Sequence, residues 1–391
     1  MSEALPLMDD SGPMGSANVK HLCRMGLSGA GQVTIDGDHA YLGYMYGPEG
    51  TSILDISDPR DPKMLTTIMV ENKRSHSHKV RVVGDIMVVN SEERPVTGEP
   101  YDDGGFRIYD IKDKSNPKLI HFQKTFGKGV HRFDMDENYL YLSTEAEGFV
   151  GNILEIYDIG IPTKPEKISQ WWMPGQNAAA GEEPNPLGRE HRLHHALRCG
   201  DRMYAGCWGS GYAIIDIADI TKPKTLGMYD VHPPALEPSH TLLKIPNPIG
   251  GREIAIATDE ERSNRGEDDE GGPPHAPLYV FDVTDPADMK LLNTYHVSED
   301  SSPYHGKGIR FGAHQFRETI DNNVAFVTWF AAGLRILDFS KPEQPQEIGY
   351  FIPVPGDRQM APQTNDVDID HRGLIYITDK AHGFDVIEFS G

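Results

Sequence analysis

A chain of 391 residues carries 37 Lys and Arg against 59 Asp and Glu, a formal net charge of −22. So acidic a chain repels phosphate backbones and anionic bilayers, which sets nucleic-acid and membrane-surface partners aside. Its 38% hydrophobic residues can still fill a core, and 40 Gly with 29 Pro supply turns for many short strands rather than long helices.

The opening stretch MSEALPLMDDSGPMGSANVK has neither a basic n-region nor an apolar h-region, and no run approaches the roughly 18 apolar residues of a membrane span. Three cysteines, Cys23, Cys199 and Cys207, make no CxxC pair and no disulfide framework. The expectation is a soluble cytoplasmic protein. Residues 1–17 read as an irregular segment, and NVKHLCRMG (18–26) as an outer strand without a sheet of its own. Beyond it an apolar strand ending in an acid recurs: ILDISDPRDPKML, IYDIKDKSNPKLI, IYDIGIPTKPEKI, IIDIADITKPKTL, VFDVTDPADMKLL, ILDFSKPEQPQEI and VIEFSG. The marker acids are Asp55, Asp110, Asp158, Asp216, Asp282, Asp338 and Glu388. Two more strand-like runs separate successive markers, such as HKVRVV and IMVVN, so each unit reads as four antiparallel strands.

Seven such units predict an all-β chain: a single domain over residues 1–391 folded as a seven-bladed β-propeller. The last unit stops after its third strand, so the N-terminal outer strand is expected to supply the fourth and close the ring. The repeats resemble those of the LVIVD-repeat proteins, over about residues 30 to 390, and that resemblance implies the propeller while saying little of function. A looser similarity, of architecture and histidine placement only, is to selenium-binding protein/methanethiol oxidase and carotenoid oxygenases, propellers that hold a metal with histidines near the axis. No extended motif is shared with either family, so no residue is carried over from them.

The chain has 17 histidines, and the first strand of successive units begins with one: SHSHKVRVV, GVHRFDMD, RLHHALRC, EPSHTLLKI and GAHQFRET. These are His78, His131, His194 or His195, His240 and His314, with Gln32 (or Gly31) and Asn365 at the equivalent points of the other two units. First strands line a propeller's channel, so the five imidazoles are expected to converge on a cation: iron, copper, manganese or zinc. In RLHHALRC the apolar alternation favours His195 as ligand, with Leu197 and Cys199 on the same face, and leaves His194 as a proton-transfer candidate. Counting back from the turn acid favours His194 instead.

Second-strand ends add Glu92 or Glu93, Glu145, Trp208, Asp259 and Trp329, with Glu145 the preferred carboxylate behind a ligand histidine. Tyr44, Tyr46, Trp208, Trp329 and Phe330 are candidates for an aromatic wall. Long insertions between strands are expected at Arg94–Gly105, Trp171–Glu190, Asp259–Pro277, Val297–Gly312 and Pro353–Gln363. The second of these reads as a lid, and the acids from Glu260 to Glu270 as a solvated loop. P-loop, dinucleotide and GxSxG signatures are absent. The composite expectation is a metal-dependent enzyme on a small organic substrate, with Glu145, His194 and Trp208 beside the metal. Oxidoreductase chemistry stands first, a Lewis-acid lyase or hydrolase second, and an interaction scaffold with a structural ion third.

Overall fold

A computed structural model describes residues 12–94, 102–184, 189–262, 265–266, 274–356 and 359–391. The first five marker runs each form the third strand of a four-stranded antiparallel meander. In the first, Ala30–Asp36, His39–Tyr44, Glu49–Asp55 and Lys63–Met69 pair in that order. The order recurs in Val80–Val83, Ile86–Glu93, Gly105–Asp110 and Lys118–Lys124, and again in Phe126–Met135, Tyr139–Glu145, Asn152–Asp158 and Glu166–Trp171. It continues in His191–Cys199, Arg202–Trp208, Tyr212–Asp216 and Lys224–Tyr229, then in Ser239–Lys244, Ile254–Asp259, Leu278–Asp282 and Lys290–Tyr295. Val324–Trp329, Gly333–Asp338 and Gln346–Ile352 follow, Phe316 adding a bridge to Val327. The last sheet is Thr364–Ile369, Ile375–Asp379 and Gly383–Phe389 with Val19–Gly26 on its edge. The fold is all-β, a succession of curled meanders consistent with a β-propeller. Among the described residues the helical turns are three short 3₁₀ segments.

Six of the seven markers are Asp, and there the side chain makes the turn. The Oδ1 of Asp55, Asp110, Asp158, Asp216, Asp282 and Asp338 each accepts the backbone N–H two residues on, at 2.7–3.0 Å. Such an Asx-turn reverses the chain into the outer strand without needing a glycine.

The N-terminal strand joins the last sheet from Val19↔Phe389 to Gly26↔Gly383. Arg24 fastens it, its Nε and Nη2 donating to buried Asp385 at 2.7 and 3.1 Å. Met14–Gly15 pairs with Ile352 and Phe351, so part of the stretch expected to be irregular is a short strand. Neighbouring sheets pack face to face through apolar clusters. Leu154 and Ile156 meet Leu193, Met203 and Ala205 in one; Ala30, Leu42 and Leu54 meet Tyr376, Phe384 and Val386 in another, joining the first sheet to the last. Each of the leucine, isoleucine, methionine, valine and phenylalanine side chains contributes roughly 1.5–3 kcal/mol relative to exposure.

Polar latches tie five of the second strands to the start of the next inner strand. Asn90 Nδ2 donates to the carbonyls of Val130 (2.9 Å) and His131 (3.1 Å), and Ser143 Oγ to Leu193 (2.8 Å). Thr258, Thr328 and Thr378 hydroxyls donate to the carbonyls of His314, Asn365 and Gly31 at 2.7–3.1 Å. At Gly43 and Gly206 there is no room for a side chain, since a Cβ would collide with the backbone of His78 and His240 respectively. The histidines are therefore positioned by backbone contacts on two sides.

Candidate metal centre

Inner strands do not begin as regular strands. Their pairing with the second strand slips at Val130/Arg132, His191/His195, Ser239/Thr241, Ala30/Val33 and Thr364/Asp366. A bulge leaves its extra residue off the ladder and re-aims the side chain. His131, His194 and His240 occupy these unpaired positions. With His78 and His314 they form one arc whose consecutive ring centroids lie 5.2, 4.8, 4.3 and 4.6 Å apart, in the order His78, His131, His194, His240, His314. His76, on the short strand Ser75–His76, extends the arc at 3.9 Å from His78.

Hydrogen bonds dictate the tautomers. Carbonyl oxygens only accept, so Nδ1 carries the proton in His76 (to Met45 O, 2.9 Å), His194 (to His240 O, 3.0 Å) and His314 (to Asn365 O, 2.6 Å). His131 Nδ1 lies 2.7 Å from Glu92 Oε2. Burial alone would raise Glu92, but His131, His76 and Arg192 outweigh it and hold the carboxyl at about 2, so it too only accepts. His76, His131, His194 and His314 are thus left with bare Nε2 atoms, whereas His78 Nδ1 accepts from Asn90 Nδ2 at 3.4 Å. Burial, reinforced by neighbouring cations, pushes His194 and His240 well below the ordinary histidine value, and burial also takes His76 down to about 4. His131 Nε2 and His194 Nε2 stand 2.9 Å apart. Two imidazole lone pairs at that separation repel unless a proton or a cation lies against both.

The donor set fits a metal. Ligand atoms of His76, His78 and His131 lie within 4.8 Å of one another, as do those of His194, His240 and Glu260. Imidazole backed at Nδ1 by a carbonyl or carboxylate is the form that binds borderline transition metals through Nε2. His240 is the least free of the arc, because its Nε2 already accepts from Arg132 Nη2 at 3.1 Å. Glu260 lies 3.9 Å from the Nε2 of both His240 and His314. Burial works against its ionisation, yet His314, Lys380 and Arg310 hold it at about 2.

Five of the expected residues are brought together: His78, His131, His194, His240 and His314. His195 is not, and the expectation that it faces the metal is corrected. The bulge turns His194 into the arc, while His195, paired with Gly206, points the other way with Nε2 3.7 Å from Glu318. Glu145 also lies elsewhere, its Oε2 accepting from Lys128 N at 2.9 Å; Glu92 is the carboxylate behind a histidine. Trp208 does stack on His194 at 4.7 Å, its backbone held at φ 52° in the left-handed region, a costly conformation for a bulky residue. Trp329 is core, edge-on to Tyr295; Phe330, one residue later, faces His314 at 4.8 Å. Tyr44 is tied to Ser52 between strands, and Tyr46 is an exposed ring under Arg94.

Sequence reasoning missed His76, although SHSH spans both positions. It took Glu260 for a solvated acid, whereas Glu260 is largely buried and Glu261 wholly so. It also missed Lys380, whose ammonium sits 5.3 Å from the Phe330 ring and which burial and Arg310 push down to about 7. Glu92, Trp208, Glu260, Phe330 and Lys380 all follow or end second strands, so the signal was the repeat position read one residue further in three sheets. Of the expected lid, the part up to residue 184 packs down: Gln176 is buried and donates to Val150 O and Asn152 O. Residues 185–188 of it, and most of the acid-rich 263–273 segment, lie outside the described residues.

One residue deeper, the inner strands carry a different layer. Lys79 Nζ donates to Glu318 at 2.6 Å, Arg81 pairs with Glu318, and Arg132 reaches Gln315 at 3.3 Å. Beyond them opens a cavity of about 820 Å³ where Arg81, Arg198 and Arg317 alternate with Asp134, Glu318 and Asp368.

Residues 29–70 match the LVIVD repeat. No curated protein matches the chain. Among solved structures, a protein from Lactobacillus plantarum is similar at 12% identity and TM-score 0.58, covering 88% of this chain and 89% of that one. The computationally designed Ika8 protein is similar at 9% identity and TM-score 0.52, covering 95% and 99%. At such identities the likeness is one of fold alone.

Proposed function

We propose that the chain is a seven-bladed β-propeller enzyme that holds a transition-metal ion at the His131–His194 junction and oxidises a small organic substrate there. The observation that supports this is the 2.9 Å approach of His131 Nε2 to His194 Nε2, with the Nδ1 proton of each committed elsewhere. His76 and His78 on one side, and His240 and His314 on the other, would complete the ligand set, with Glu92 and Glu260 balancing its charge. When bound, iron or copper supplies electron-transfer and dioxygen chemistry; manganese and zinc also suit imidazole.

The chain's own residues have three tasks. Trp208 and Phe330, buried against His194 and His314, brace the arc at two points. Arg192 lies 4.1 Å over Trp208, and Arg310 3.9 Å over Phe330. These cations favour a substrate bearing an acidic oxygen, such as a carboxylate or enolate. Lys380, held at about 7, is suited to take up or release a proton at Nζ near neutral pH. Apo-protein loaded in turn with Fe(II), Cu(II), Mn(II) or Zn(II) tests the reading. Oxygen-dependent turnover with iron or copper is expected. Turnover with Zn(II), indifferent to oxygen, would replace it by Lewis-acid lyase or hydrolase chemistry. A protein that binds no metal and is fully stable would point to a scaffold.

A further inference from the structure

Away from the arc, a second set of metal-binding side chains meets at the surface. His275 precedes the strand Leu278–Asp282, Glu299 opens the 3₁₀ turn Glu299–Ser301, and His305 follows it. His275 Nε2 lies 3.4 Å from Glu299 Oε1, and His305 Nε2 3.3 Å from Glu299 Oε2; the three ligand atoms fall within 4.8 Å of one another. Charge-assisted N–H···O bonds close to about 2.7–2.9 Å. The observed spacings are longer, each imidazole meeting a different oxygen of the Glu299 carboxylate, and they leave room for an ion between the three side chains.

The buried side of the cluster is built to orient it. Glu261 is wholly buried, and its Oε2 accepts the backbone N–H of Ala276 (3.0 Å) and Gly312 (3.1 Å). Its Oε1 lies 2.6 Å from His275 Nδ1. The Nδ1 proton is thereby fixed inward and the Nε2 lone pair outward, toward Glu299. Phe311 braces both rings, at 5.0 Å from His275 and 5.3 Å from His305, and holds them nearly perpendicular. On the solvent side a cleft of about 350 Å³ runs past His275, His296 and Glu299.

We infer that His275, His305 and Glu299 form a second divalent-metal site, with Glu261 as the positioning carboxylate and the fourth position open to the cleft. Two histidines and a carboxylate with an open position suit Zn²⁺ acting on a bound water or carbonyl oxygen. The site shares no ligand with the arc, though the adjacent residues Glu260 and Glu261 serve one each.

The test is zinc stoichiometry of chelator-stripped, reloaded full-length protein. His305→Ala and Glu299→Gln alter partly exposed side chains, so both variants should fold. Each is expected to bind one zinc fewer than wild type, whatever the count contributed by the arc. Glu261→Gln should keep the site but weaken it 10- to 100-fold. Loss of one equivalent in His305→Ala when wild type binds only one would leave this site standing and remove the axial one. Equal stoichiometry in wild type, His305→Ala and Glu299→Gln would overturn the inference, as would a wild type that binds no zinc.

Discussion

At one end of the inner strands histidines gather, His131 and His194 with bare Nε2 atoms 2.9 Å apart. One residue further along each strand, Lys79, Arg132, Thr241 and Gln315 meet groups of complementary character, among them Glu318 and one another, and His195 lies 3.7 Å from Glu318. The two layers are adjacent in sequence at every step: His78 and Lys79, His131 and Arg132, His194 and His195, His240 and Thr241, His314 and Gln315. In a regular strand neighbours face opposite sides. Here the bulges let both members of several pairs face the interior at different depths. In the deeper layer Lys79 and Arg81 meet Glu318, with the ring nitrogens of His195 left without a hydrogen-bond partner, while in the upper layer the Nε2 atoms of His131 and His194 face each other at 2.9 Å. A cation belongs between acceptors that face each other.

The comparison fails altogether if the inner strands do not form a closed set, so the largest expected effect comes from the closing strand. Deleting residues 1–26 removes the ladder of Val19–Gly26 against Gly383–Phe389 and the Arg24–Asp385 pair. At about 1 kcal/mol for each lost hydrogen bond, the cost is on the order of 5 kcal/mol. Thermal melting should show the truncated chain unfolding far below full length. An unchanged midpoint would mean that closure does not hold the layers.

The pair His194 and His195 separates the two layers most sharply. His194→Ala should reduce metal affinity by at least the roughly 100-fold that loss of a supporting residue alone can cost. His195→Ala should leave metal stoichiometry intact and instead lower stability by roughly 2 kcal/mol, the cost of a cavity in a packed interior. Metal analysis beside chemical denaturation reads both. Equal metal loss in the two variants would erase the distinction.

This pair also shows what the sequence could and could not carry. The sheet repeat was legible because six marker Asp residues perform the same turn, and His78, His131, His240 and His314 were legible because they share one repeat position. His194 required knowing that the strand is bulged. Apolar alternation, sound for a regular ladder, pointed one residue too far. The same single-residue offset hid Glu260 behind Asp259 and Phe330 behind Trp329, since it is the residue leaving the second strand that turns toward the arc. Glu145 matched the pattern by type but is occupied by the backbone of Lys128. Distances between loops, such as those joining His275 to Glu299, have no periodic signal at all.

A smaller effect is expected from the carboxylates that flank the arc. Glu92→Gln and Glu260→Gln keep shape and remove charge, and each should weaken metal binding 10- to 100-fold. Glu318→Gln, in the deeper layer, should change stability and leave metal affinity alone. Titration of apo-protein with metal distinguishes them, and equal weakening by all three would indicate a general field rather than a local role.

The finest distinction is between Asp259 and Glu260, neighbours whose ionisation moves in opposite directions. Glu260 faces His314, Lys380 and Arg310. Asp259 is fully buried, and burial raises it to about 7 although Tyr212 and Tyr279 donate to it at 2.7 and 2.9 Å. A carboxyl whose folded value exceeds its unfolded value of about 3.9 binds its proton more tightly when folded. Its contribution therefore falls as pH rises from about 4 to about 7, by about 1.4 kcal/mol for each pH unit. For Glu260 the sign reverses: its stabilisation is present above about 4.3 and is lost as pH falls toward 2. Asn has the shape of the protonated acid, so Asp259→Asn should match wild type near pH 4 and exceed it at pH 8. Denaturant midpoints across that range check the expectation, and a variant less stable than wild type at pH 8 would show that the ionised carboxylate is what the two tyrosines require.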